Sequence, residues 1–193
     1  MRLVIGISGS TGSIYGIRCL EVLHGHTDVE THLVISKPAE RTIEHETDWK
    51  VEDVRKLATV VYEEDDIGAA ISSGSFKTAG MIVAPCSIKT LAGIANSFND
   101  NLLTRAADVT LKERRRLVIC LRETPLHLGH IEHMLKVTQM GGIMVPPIPA
   151  FYNRPKTLDD IVNHAVGRML DLHGIEHKGL LERWKGLAQP FKR

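Results

Sequence analysis

Short apolar runs rich in Val and Ile recur along the chain at Leu3 to Ser8, Thr31 to Ser36, Met81 to Ala84, Leu117 to Leu121 and Ile143 to Val145. Each is too short for a helix and suits a buried strand. Helix-like segments separate most of them. That alternation predicts parallel strands joined by right-handed crossovers, hence a three-layer α/β domain with a mostly parallel central sheet.

Helix signals sharpen the second half of the chain. Thr124 suits an N-cap, Pro125 the first helical position, and Leu128, Ile131 and Leu135 then recur at helical spacing before Gly141 and Gly142. A final helix is predicted from about Leu158 to Leu170, with Ile161, Val162, Ala165, Val166 and Met169 on one face, Asp159 and Asp160 at its positive end and Gly174 as its stop. Between these helices, Pro146, Pro147 and Pro149 predict a rigid extended loop that sets where Phe151, Tyr152 and Arg154 point.

Composition narrows the possibilities. A length of 193 residues suits one domain spanning 1–193, with a C-terminal tail from about 175. A formal net charge of +1 offers no global field for nucleic acid or a membrane surface, and no stretch of 18 apolar residues occurs. The opening MRLVIGISGSTG enters a strand pattern without an export signal, so a cytoplasmic location is expected. Cys19, Cys86 and Cys120 are odd in number and far apart, which argues against a disulfide framework.

Open α/β sheets bind ligands beyond the carboxyl ends of their strands. After the first strand, Ser8-Gly9-Ser10-Thr11-Gly12 forms a turn whose N–H groups and hydroxyls suit an anion, although chain reversal alone explains it equally well. The glycines do not match G-x-G-x-x-G, and Ile35-Ser36-Lys37 lacks the acid that would hold an adenosine ribose, so NAD is disfavoured. After the third strand, Ala84-Pro85-Cys86-Ser87-Ile88-Lys89-Thr90 offers a second anion cradle, part of which helix capping by Ser87 also explains. Two cradles fit flavin mononucleotide (FMN), or a flavin plus a second phosphate. Cys86 reads as a small apolar filler rather than a nucleophile.

Arg122-Glu123 ends the fourth strand at the ligand edge. Arg122 suits a forked bond to phosphate and Glu123 suits proton exchange with it; a structural ion pair between them is the competing reading. Arg105 and Lys112, seven apart on one helical face, suit a single anion, whereas Arg114 to Arg116 read as solvated cations. His127, His130 and His133 drift around a helix, so no metal is expected; Glu63 to Asp66 reads as a solvated turn.

Taken in order, Gly9-Ser-Thr-Gly12 with Tyr15-Gly16, Ile35-Ser36-Lys37, Glu46-Thr47-Asp48, Pro85-Cys-Ser87 through Leu91, Leu102 through Arg115, Arg122-Glu-Thr-Pro125, Pro149-Ala-Phe-Tyr152 and Gly167-Arg168 resemble the UbiX-type flavin prenyltransferases, nearly end to end. These belong to the homo-oligomeric flavin-containing cysteine decarboxylase-like superfamily. The resemblance implies a flavodoxin-like (Rossmann-like) FMN-binding domain in a homododecamer. It also implies metal-independent transfer of a dimethylallyl group from dimethylallyl monophosphate to N5 and C6 of reduced FMN, the prenylated FMN serving a UbiD-type decarboxylase. It assigns Gly9, Ser10, Thr11, Ser36, Ser87, Ile88, Lys89, Thr90 and Arg122 to FMN, and Arg105, Lys112, Glu123, Tyr152 and Arg168 to the prenyl phosphate, with Arg105 across a subunit boundary. Glu46, Glu123 and Thr11 are its catalytic candidates, Thr11 standing where Ser is frequent. Trp184 resembles the family's tail and either shields the allylic cation or packs.

Three other readings remain. An FMN-dependent cysteine decarboxylase would carry P-A-S-A-N-T and P-x-M-N-x-x-M-W, and neither is present. A direct aromatic-acid decarboxylase needs a carboxylate site the sequence does not separately identify, and a non-catalytic flavin carrier needs only the flavin site.

Overall fold

A computed structural model of the chain describes residues 1–177, 179–184 and 186. Its strands are β1 (Arg2–Ile7), β2 (Glu30–Ile35), β3 (Val60–Tyr62), β4 (Gly80–Cys86), β5 (Arg116–Leu121) and β6 (Ile143–Met144). Every pairing is parallel, in the order β3-β2-β1-β4-β5-β6, so the mostly parallel sheet is wholly parallel. Helices α1 (Ile14–His24), α2 (Lys37–Glu46), α3 (Val51–Lys56), α4 (Ile88–Ala95), α5 (Leu102–Lys112), α6 (Leu128–Gln139) and α7 (Leu158–Leu172) flank it. Without the three-residue edge strand β3, the remaining five strands have the flavodoxin-like order.

The central strands read as continuous apolar runs because both their faces are covered. Leu3, Ile5 and Ile7 of β1, with Ile82, Val118 and Cys120, enter one core beneath α1 and α7. Val4, Met81, Val83, Leu117 and Ile119 point the other way, under α4 and α5. Each fully buried Leu or Ile contributes about 1.5–3 kcal/mol. Helix α1 lies hard on the sheet at Gly16, where a Cβ would come within 2.2 Å of the Ala84 carbonyl oxygen.

Two expectations need correcting. Helix α6 starts at Leu128, not at Pro125: His127 is its N-cap, its Nδ1 accepting from Gly129 N at 3.1 Å, and the Thr124–Pro125 peptide is cis. The stripe Leu128, Ile131, Leu135 faces outward, 70%, 51% and 57% exposed, while Val137 meets the core. Arg115 is no solvated cation, since its guanidinium donates to the carbonyls of Phe76 (2.8 Å) and Gly74 (2.6 Å) and ties down the loop before β4. The final helix runs to Leu172, opened by a capping box between Thr157 and Asp160, and Gly174 follows at φ 67°.

Candidate functional site

The strand order reverses between β1 and β4, and the two loops singled out in the sequence leave the carboxyl ends of these two strands. Ser8 joins them. Its hydroxyl donates to Pro85 O at 3.0 Å and accepts from Ser87 N at 2.7 Å, so the glycine turn and the Ser87 loop form one wall.

A cavity of about 980 Å³ opens beside that wall, lined by Gly9, Ser10, Thr11, Ser36, Ser87, Ile88, Lys89, Thr90, Arg122 and Glu123, every residue that the resemblance assigned to FMN among them. Three helices begin at its rim. Ser36 caps α2 by accepting from Ala39 N, Ser87 caps α4 by accepting from Thr90 N, and Asn101 caps α5 by accepting from Thr104 N. Their positive ends therefore converge on one space, which suits an anion. Ser10 Oγ is buried without a hydrogen-bond partner among the described residues, as expected for a hydroxyl kept for a ligand. These donors fit the phosphate and polar edge of a flavin nucleotide.

Arg122 and Glu123 do not form the competing ion pair. A Glu123 carboxylate oxygen instead accepts from Thr124 N at 3.1 Å, leaving the Arg122 guanidinium at the cavity. Lys89 reaches across to Asp100 at 3.5 Å, tying α4 to the loop before α5. Cys86 is fully buried and burial pushes its thiol up, which matches the filler reading.

Glu46 stands outside this space, at the end of α2, and lines a second cleft of about 570 Å³ with Arg41 and His45. Gly9 and Thr11 border both spaces. Glu46 Oε2 accepts from Gly12 N at 2.8 Å, so its carboxylate is tied to the glycine turn.

The expected prenyl-phosphate cluster is not assembled within one chain. Arg105 bonds Ser72 O and Asp108, and Lys112 bonds Glu113; neither lines the cavity, so the two do not address one anion there. Tyr152 and Arg168 are also absent from that lining; Tyr152 stands against α7, the helix that carries Arg168. Tyr152 bonds His164 and meets the ring of Trp184 at 5.5 Å, and Arg168 bonds Asp171. Trp184 therefore packs on Tyr152. Among the described residues no cluster of three metal-capable side chains is present.

Sequence reasoning missed Glu64, Asn101 and Phe98, all of which line the cavity. Glu64 sits in the acidic run taken for a solvated turn, and its carboxylate accepts from Lys37 N at 2.8 Å. It follows the unpredicted strand β3, whose recognition would have placed it at the ligand edge.

The Flavoprotein family matches residues 1–170. The chain is 58% identical over 96% of its length, and 95% of the relative's, to a protein named flavin prenyltransferase UbiX from Thauera aromatica. A dodecameric structure described as an FMN-dependent UbiX-like decarboxylase from Escherichia coli superposes with a TM-score of 0.93 at 53% identity, covering 97% of this chain and 100% of that one. AnUbiX, solved in complex with FMN and dimethylallyl pyrophosphate, also gives 0.93 at 50% identity, with 97% and 98% covered. With a flavin-sized cavity at the switch point and near-complete likeness to these proteins, the chain belongs to the Flavoprotein family, among the UbiX-type flavin prenyltransferases.

Proposed function

We propose that this chain joins a dimethylallyl group from dimethylallyl monophosphate to N5 and C6 of reduced FMN, with the flavin as acceptor rather than redox cofactor. The observation that carries the reading is the cavity at which three capped helix N-termini, Arg122 and a Ser10 hydroxyl without a partner among the described residues converge. Gly9, Ser10, Thr11, Ser36, Ser87 to Thr90 and Arg122 hold FMN. The product serves a UbiD-type decarboxylase, and the protein works in the cytoplasm; no helix among the described residues is long and apolar enough to cross a membrane.

Breaking an allylic C–O bond requires stabilisation of the departing phosphate. Lys112, Arg105, Tyr152 and Arg168 supply cations and a hydroxyl for this without a metal ion. Since none of the four lines the cavity of its own chain, neighbouring copies complete the donor end. A homododecamer, as in the Escherichia coli relative, supplies them, and the exposed stripe Leu128, Ile131, Leu135 gives the chain an apolar face to bury in it. Glu123 adjusts the protonation of the phosphate. Glu46, tied to the glycine turn, assists proton loss on ring closure.

The test is phosphate release without air and with a metal chelator. Inorganic phosphate should appear in step with consumption of reduced FMN and of dimethylallyl monophosphate. Donor left intact contradicts the reading, as does carbon dioxide released from an aromatic acid by this protein alone. Running dimethylallyl diphosphate in parallel decides which donor this chain takes.

A further inference from the structure

Tyr152 is held more firmly than a residue on a surface loop needs to be. Its hydroxyl lies 2.9 Å from Nε2 of His164 on α7, and the two rings meet edge to face at 5.6 Å and 75°. The ring of Trp184 meets the same phenol at 5.5 Å and 73°. The ring is thus packed by Trp184 while its hydroxyl is fixed by His164, although Tyr152 remains 45% exposed. Arg168 follows His164 by four residues on α7, one turn along the same face. Burial, and then the charge of Arg168, hold His164 below the ordinary imidazole range, so it is neutral near pH 7.

We propose that His164 is a positioning residue for the prenyl donor, orienting the Tyr152 hydroxyl for the donor's phosphate. This rests on the reading that Tyr152 and Arg168 hold that phosphate. A phenol has one proton to give. Without donor, the hydroxyl proton lies between Tyr152 and Nε2 of His164. When a phosphate oxygen takes that hydrogen bond, the phenol oxygen keeps a lone pair that an Nε2–H can fill. Neutral imidazole serves both states by changing tautomer, one nitrogen giving its proton to solvent water as the other takes one from it, so the net charge of the site is unchanged. An aliphatic side chain would pack on the phenol but could do neither.

The test uses the full-length, FMN-loaded protein in four forms: His164→Leu, His164→Gln, Tyr152→Phe and the Leu/Phe double variant. Loss of one neutral hydrogen bond corresponds to roughly a two- to tenfold effect. His164→Leu should raise KM for dimethylallyl monophosphate by that factor with FMN affinity unchanged. His164→Gln, whose amide can donate or accept, should restore KM to within about twofold. In the double variant the Leu change should add nothing to Tyr152→Phe. An unchanged KM in His164→Leu while Tyr152→Phe raises it overturns the proposal, as do full additivity or a Gln variant no better than Leu with native circular dichroism. An unchanged KM in Tyr152→Phe instead removes the underlying reading of Tyr152. His164→Ala gives the same comparison should the Leu variant fold poorly.

Discussion

Ser8 and Ser87 follow two different strands, β1 and β4, 79 residues apart, yet the Ser8 hydroxyl accepts from the Ser87 backbone N–H at 2.7 Å. Because the same hydroxyl donates to Pro85 O, the bond sets the spacing between the two anion cradles. Ser8 is 1% exposed, so no water replaces it. Ser8→Ala should cost about 1–3 kcal/mol of stability in chemical denaturation, the desolvation cost of an unpaired buried N–H, and should weaken FMN binding. A variant with unchanged midpoint and flavin affinity would refute the role.

Arg122 and Ser10 line the cavity without side-chain hydrogen-bond partners among the described residues, which separates binding from chemistry. Arg122→Ala should weaken FMN by roughly 10- to 100-fold, as expected for a charge-assisted bond, and Ser10→Ala by roughly two- to tenfold. Fluorescence titration of FMN measures both. Equal affinity in Arg122→Ala would place the phosphate elsewhere.

Glu46, Glu123 and Arg168 should behave in the opposite way. Glu46→Gln keeps an oxygen to accept from Gly12 N, so FMN affinity should hold while transfer falls by about 10²–10⁴, the usual contribution of a positioned acid or base. Glu123→Gln and Arg168→Ala should likewise bind FMN yet lose most transfer. Near-normal turnover in any one removes the role given to that residue.

The outward stripe of α6 predicts an assembly surface. Ile131→Glu should lower the mass measured by light scattering and, on the proposal that neighbouring copies complete the donor end, reduce transfer. A dissociated variant with full transfer would show that one chain suffices.

Buried imidazoles give the fold a pH limit. Burial, aided by the charge of Arg116, depresses His173 from 6.5 to about 4, and burial lowers His32 as well. Between these values the unfolded chain binds the extra proton, so stability should fall as pH drops from about 6.5 to about 4. For His173 the loss is at most about 3 kcal/mol. Urea midpoints at pH 7.5 and pH 5 measure it, and His173→Leu should flatten the slope. An unchanged slope would contradict this assignment.

How much was legible depended on where each residue lies. Strands β1, β4 and β5 announced themselves because burial on both faces makes them almost wholly apolar, and β2 and β6 showed through the shorter apolar runs Leu33 to Ile35 and Ile143 to Val145. Strand β3 did not, being three half-buried residues at the sheet edge, and with it Glu64 was lost. The lining of the cavity could be read because its hydroxyls are local: Ser10, Ser36 and Ser87 sit where strands turn into helices. The proposed donor side could not, because neither Lys112 nor Tyr152 lines that cavity and no local pattern encodes a contact between copies. The stripe on α6 was legible as a spacing, but its outward direction was not, since periodicity does not report what covers a face.

The mass of the flavin recovered after anaerobic reaction with dimethylallyl monophosphate and reduced FMN tests the central claim most directly. The account predicts a flavin heavier by one C5H8 unit, formed with chelator present. Recovery of unmodified FMN from folded, flavin-loaded protein would contradict it.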